Sequence, residues 1–234
     1  MPTLEWIGKS KVVNHHQEVP FRVLERQYSF DEMGKHTEDN GSDNMIIHGD
    51  NLEALKALLP QYEGRVKCIY IDPPYNTGNE KWCYNDNVND PHIQKWLGEV
   101  VGKEGEDLTR HDKWLCMMYP RLMLLQKLLA DDGFIFVSID VFEYAYLRCI
   151  MDEIFGSANF RNCIAVRRGI KNVQAQFDEV QSLSLGHEYI YLYSKNPQAK
   201  LPKLSKGFEA DKAGKWDTFW RGTDRPTMRY EIFG

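Results

Sequence analysis

Three short apolar runs in this chain each end in an acid: "MIIHGD" at 45–50, "VKCIYID" at 66–72 and "FIFVSID" at 134–140. Runs of this length, rich in Ile, Val and Tyr and separated by amphipathic stretches, predict buried strands. Between the first two, "NLEALKALLPQY" sets Leu52, Leu55, Leu58 and Leu59 on one helical face, with Asp50 or Asn51 available as a cap. "HDKWLCMMYPRLMLLQKLLADDG" (111–133) predicts a long helix that starts near Pro120 or kinks there, and closes at Gly133. "VFEYAYLRCIMDEIFG" (141–156) predicts another helix, ended by Gly156. "FRNCIAVRR" (160–168) and "HEYIYLYSK" (187–195) read as two further strands. The alternation predicts an α/β fold, a mostly parallel sheet with helices on both faces. In such sheets a ligand lies beyond the carboxyl ends of the strands.

The flanks are less patterned. Residues 1–44 are polar; "PFRVLERQYSF" suits a strand or a short helix, and "GKHTEDNGSDN" reads as a loop. Residues 76–111 form a long polar connection, and no clear period survives beyond about 196. Five widely spaced cysteines without a C-x-x-C pair suggest neither a disulfide framework nor a zinc site, so a reducing cytoplasm is expected. No signal peptide or apolar run of membrane-spanning length is recognised, so no membrane partner is expected. Formal net charge is -5, but residues 161–234 carry 13 Lys and Arg against 8 Asp and Glu. A basic last third on an acidic body suits contact with a phosphate backbone, or is a chance fluctuation in surface charge.

Asp72 stands apart from the other strand-end acids because "DPPY" follows. Pro73 pushes Asp72 into extended geometry, and two prolines fix the next torsions and remove two amide donors. The loop then offers a carboxylate and carbonyl oxygens with an aromatic ring beside them. Two acceptors and a flat ring suit an exocyclic amino group on a planar base. Asp72 and the Pro73 carbonyl would each accept one N–H, aiming the nitrogen lone pair at an electrophile, while Tyr75 stacks on the base. The plain alternative is a strand-terminating turn with Tyr75 as packing. Asp50 reads equally well as a helix cap.

The segments "NMIIHGDNLEALKAL", "CIYIDPPYNTGNEKWCYND", "WLCMMYPRLMLLQKLLADDGFIFVSID" and "MDEIFG" resemble, in one register over about residues 44–195, the DNA adenine-N6 methyltransferases, specifically the modification subunits of type III restriction systems. The resemblance implies a Rossmann-like S-adenosylmethionine-dependent methyltransferase fold with a circularly permuted motif order. It implies S-adenosylmethionine as methyl donor, duplex DNA as substrate, extrusion of an adenine, a restriction subunit as partner, and homodimerisation. Carried over, Asp72, Pro73, Pro74 and Tyr75 form the catalytic motif, and Asn76 supports its loop. Asp50, Asp72 and Asp140 border the expected cofactor pocket. The family's glycine-rich cofactor loop does not occur in these 234 residues. The fold is therefore expected to be incomplete, lacking the central strands that carry that loop. Residues 1–44 are then an N-terminal extension, 45–195 a partial catalytic domain and 196–234 the start of a target-recognition region. Taken alone, the stretch is expected to hold S-adenosylmethionine weakly and to have little activity.

DNA contacts are expected from Asn76, Thr77, Lys81 and Tyr84 after the catalytic loop, and from Arg167 and Arg168 at a strand end. An ordinary exposed loop and a solvated charge run are the alternatives. Arg221, Arg225 and Arg229 interleave with Trp216, Trp220 and Tyr230, a mixture suited to backbone and base-edge contacts. Two rival functions remain open. One is a methyltransferase for cytosine N4 or another planar amino group, although the acid at 72 and the Tyr at 75 favour adenine. The other is an inactive DNA-binding remnant.

Overall fold

The protein is described from a computed structural model, at residues 3–76, 91–100, 109–167 and 187–201. These elements fall in the first of two units of the chain, residues 1–199. In order they are α1 (Lys9–Val12), α2 (His15–Glu18), β1 (Ser29–Asp31), β2 (Gly34–His36), α3 (Asn51–Tyr62), β3 (Val66–Ile71), α4 (Pro91–Val100), α5 (Arg110–Leu128), β4 (Leu129–Ile139), α6 (Tyr144–Met151), β5 (Phe160–Arg167) and β6 (His187–Ser194). A π turn (Asp152–Gly156) and a 3-10 turn (Ser157–Asn159) lead from α6 into β5.

The main sheet has the order β3-β4-β6-β5. Only β3 and β4 pair in parallel, with Cys68 opposite Phe134 and Ile71 opposite Val137. β4 pairs antiparallel with β6, Ile139 opposite Tyr189, and β5 pairs antiparallel with β6, Arg167 opposite His187. The described sheet is thus mixed, not mostly parallel. α6 links β4 to β5, which keeps the sense of β3 and β4, and β6 inserts between β4 and β5 in the opposite sense.

The core lies between one sheet face and α5. Ile69, Ile135, Val137, Ile139, Tyr191 and Tyr193 alternate onto that face and cluster with Trp114, Leu115, Met118 and Leu122 of α5 and Leu147 and Ile150 of α6. α5 is buried on almost every side, and α1, α2, α3, α4 and α6 all touch it. The opposite face carries exposed Cys68 and Tyr70. The described helices therefore gather round α5 rather than cover both faces.

Several expected elements change. "MIIHGD" is not a strand: residues 45–48 have no regular structure and no ladder partners, and Ile46 is fully exposed. A strand needs a neighbour for its amides and carbonyls, and no described strand lies beside it. The helix expected over 111–133 begins at Arg110 and ends at Leu128, passing through Pro120. Its last carbonyls are taken from outside: Gly64 and Arg65 amides donate to Lys127 and Leu128, and Lys195 Nζ donates to Gln126. Leu129 then joins the ladder opposite Val66. Gly133 is consequently not a helix end. It sits in β4 where a Cβ would come within 2.8 Å of the Val66 carbonyl. The polar connection over 76–111 contains α4 and the start of α5. α6 is shorter than expected, and Gly156, at φ 89, closes the π turn. The N-terminal segment packs onto the body: Val12 is fully buried, and Lys9 bridges to Glu153 at 3.0 Å.

Candidate active site

The strand senses bring several functional candidates to one sheet edge. β3 and β4 end there, antiparallel β6 begins there, and β5 ends there. Asp72, Asp140, His187 and Arg167 thus mark successive strand ends along the carboxyl edge that ligands use in α/β sheets. Asp72 and Arg167 are exposed.

Three contacts define the Asp72–Asn76 loop. First, Tyr75 packs against the core, and burial, with the Asp72 carboxylate the next cause, pushes its phenol well above its ordinary value. Glu188, near the start of β6, adds to that shift through its negative charge. Tyr75 is half-buried and packs against the core while Asp72 stays exposed, so the carboxylate is offered at the surface. Second, Trp114 of α5, itself fully buried, donates Nε1–H to the Pro74 carbonyl at 2.6 Å. The Pro74 oxygen is thereby spent on the scaffold; the acceptor expected to serve an incoming amine is the Pro73 carbonyl. Third, Asn76 adopts a left-handed conformation, φ 57, and is fully buried. Among non-glycine residues Asn tolerates this region best. Its Nδ2 donates to the Arg110 carbonyl at 3.1 Å and to Glu143 Oε1 at 2.5 Å.

Glu143 has no exposed side-chain surface, and burial raises its pKa despite its hydrogen bonds with Asn76 and His111. His111 Nδ1 lies 2.7 Å from the same Oε1. The buried Asn76 faces Glu143 and backbone rather than a surface, which departs from the DNA contact expected of it. Sequence reasoning also missed Trp114, Glu143, His111 and Glu188. Their partners in the loop lie 40 and 67 residues away for Trp114 and Glu143, and no local pattern encodes such contacts.

The other two acids expected at a cofactor pocket do local work. Asp50 Oδ1 caps α3, accepting from Leu52 and Glu53 amides at 2.9 and 3.1 Å. Asp140 is buried, and its Oδ1 accepts the Phe142 amide at 2.9 Å, shaping the turn into α6. Thr77, Lys81, Tyr84 and Arg168, and the arginine-aromatic run over 216–230, lie outside the described residues. Among the described residues no helix is long and apolar enough to cross a membrane.

Fold and site define a class: an α/β protein with a proline-stiffened acid-aromatic loop at the carboxyl edge of its sheet. A family model described as DNA methylase matches residues 66–229, and the chain belongs to that family. It is 37% identical over 205 residues to the type III restriction-modification enzyme EcoPI Mod subunit of Escherichia phage P1, covering 83% of this chain and 30% of that protein. With the StyLTI Mod subunit of Salmonella typhimurium it shares 40% over 182 residues, 73% of this chain and 27% of that protein. With the type II methyltransferase M.KpnI of Klebsiella pneumoniae it shares 32% over 220 residues, 88% of this chain and 49% of that protein. The chain thus spans less than a third of the two Mod subunits' length. A solved chain titled as the M1.HpyAVI-SAM complex aligns with TM-score 0.38 and 16% identity, over 69% of this chain and 60% of that one.

Proposed function

We propose that this chain supplies the catalytic loop of a site-specific DNA methyltransferase of a restriction-modification system, acting on the N6 amino group of an adenine extruded from duplex DNA. The observation that carries the reading is the exposed Asp72 carboxylate at the sheet's carboxyl edge, followed by a Pro-Pro segment locked from behind by Trp114. Membership of the DNA methylase family and identity with type III Mod subunits support it. A restriction subunit and a second copy are the protein partners this reading implies.

The methyl donor under this reading is S-adenosylmethionine, which supplies an electrophilic methyl on a sulfonium. Asp72 and Asp140 at the sheet edge are hydrogen-bond acceptors, which suits the hydroxyl and ammonium donors of that group. Asp72 and the Pro73 carbonyl accept the two amino hydrogens of the base. Charge builds on the nitrogen as it attacks, and the fixed carboxylate stabilises it without needing to take the proton. Tyr75 is the ring that this reading assigns to stack on the base. Extrusion costs a few kcal/mol by the usual unstacking scale, offset by stacking and the acceptor pair.

The test is product identity. The complete gene product carrying this chain, incubated with unmethylated duplex DNA and methyl-labelled cofactor, is expected to yield N6-methyladenine in the digested nucleosides. Label in N4-methylcytosine instead would replace adenine by cytosine as the substrate. Absence of label from DNA altogether would refute the reading.

A further inference from the structure

The structure assigns to Glu143 a positioning role: it holds the Asp72–Tyr75 loop in working geometry by gripping Asn76. This rests on the function proposed above.

Glu143 occupies the N-cap position of α6, yet its side chain makes no capping bond. A carboxylate there ordinarily accepts a first-turn amide of its own helix. Glu143 instead turns into the interior, where it is fully buried, and its described partners are Asn76 and His111. Both amide hydrogens of Asn76 are taken, one by Glu143 and one by the Arg110 carbonyl. Asn76 is thereby pinned to α5 and to the start of α6 at once, in a left-handed conformation adjacent to Tyr75. Trp114 pins Pro74 two residues earlier.

Stability does not explain the arrangement. Glu143 Oε2 and Asn76 Oδ1 are buried without hydrogen-bond partners among the described residues. Buried, incompletely paired polar groups are destabilising, and apolar replacements of similar shape are often neutral or better. Strained backbone and unsatisfied buried groups persist where they hold a functional loop in place. What this cluster holds is the segment bearing Asp72 and Tyr75, so its product is orientation of the acceptors.

The experiment measures single-turnover methyl transfer and cofactor affinity in the complete gene product, with Asp72→Ala as internal control. Glu143→Ala is expected to lower the transfer rate about a hundredfold, the scale of an ångström-sized misplacement, with cofactor affinity unchanged. Glu143→Gln, which keeps an acceptor for Asn76 Nδ2, should restore most of the rate. Asn76→Gly keeps the left-handed backbone accessible but loses the amide, and is expected to match Glu143→Ala. The double variant should be no slower than the slower single, because both act through one contact. If Glu143→Ala does not fold, Asn76→Gly and its pairing with Glu143→Gln decide the matter. Wild-type rates in Glu143→Ala or Asn76→Gly, or losses that multiply in the double variant, overturn the inference. Loss of transfer in Asp72→Ala with none in Glu143→Ala overturns the inference alone. Retention of transfer in Asp72→Ala overturns the functional reading beneath it.

Discussion

A buried carboxyl group such as Glu143 ties stability to pH. Its folded pKa is raised above the ordinary carboxylate value because burial disfavours the anion. A group raised in this way contributes stability that is fully present below its unfolded value and is lost as pH rises through the folded one. Gln cannot ionise and escapes this loss. The melting temperature of Glu143→Gln minus that of the parent should therefore grow as pH rises from the acid side of the carboxylate range toward neutrality. A constant difference across that range would show that Glu143 is not held above its ordinary value. At this scale, sequence disclosed some roles and hid others. The end of β3 at Asp72, Pro73 and Pro74 was legible because proline acts on its own neighbours through sterics. Asp50 was legible as a cap because capping is local, reaching only Leu52 and Glu53. Glu143 was not, because a cap-position acid that ignores its own helix is recognised only by the distant residue it meets.

Elements defined by continuous apolar or aromatic runs fell where periodicity put them: α3, β3, β5 and β6. Elements whose limits depend on a neighbour did not. "LADDG" has the charge and the glycine of a helix end, yet Leu129 leaves the helix because β3 offers a ladder and Gly64 and Arg65 take the last helical carbonyls. Gly133 is then required for close approach rather than for a left-handed cap. Between Val66 and Cys68 the ladder shifts register, and the extra residues of β4 bring Gly133 against the Val66 carbonyl. Gly133→Ala is expected to destabilise by about 1–3 kcal/mol, the usual range for overpacking, read from denaturant unfolding. An unchanged midpoint would mean that Gly133 does not approach Val66. "MIIHGD" failed for the converse reason: its pattern suits a strand, but no described strand lies beside it.

For the molecule as a whole, the α/β class was legible, and so was the placement of Asp72 at a carboxyl edge. The sense of β6 was not, because strand direction follows from connections rather than from strand composition. The resemblance to DNA methyltransferases rested on the loop and its flanking strands, and membership of the DNA methylase family agrees with it. The geometry adds what holds the loop: Trp114 on one carbonyl, Asn76 on Glu143, and Tyr75 packed against the core. The central claim is that the Asp72 carboxylate receives the amino group of the extruded base. Its most direct measurement is the single-turnover transfer rate of Asp72→Ala at saturating cofactor and DNA. The account expects a fall of at least about a hundredfold, comparable to removing one group that stabilises developing charge, with the fold intact. A rate within about threefold of the parent, too small a change for a lost transition-state contact, would contradict it.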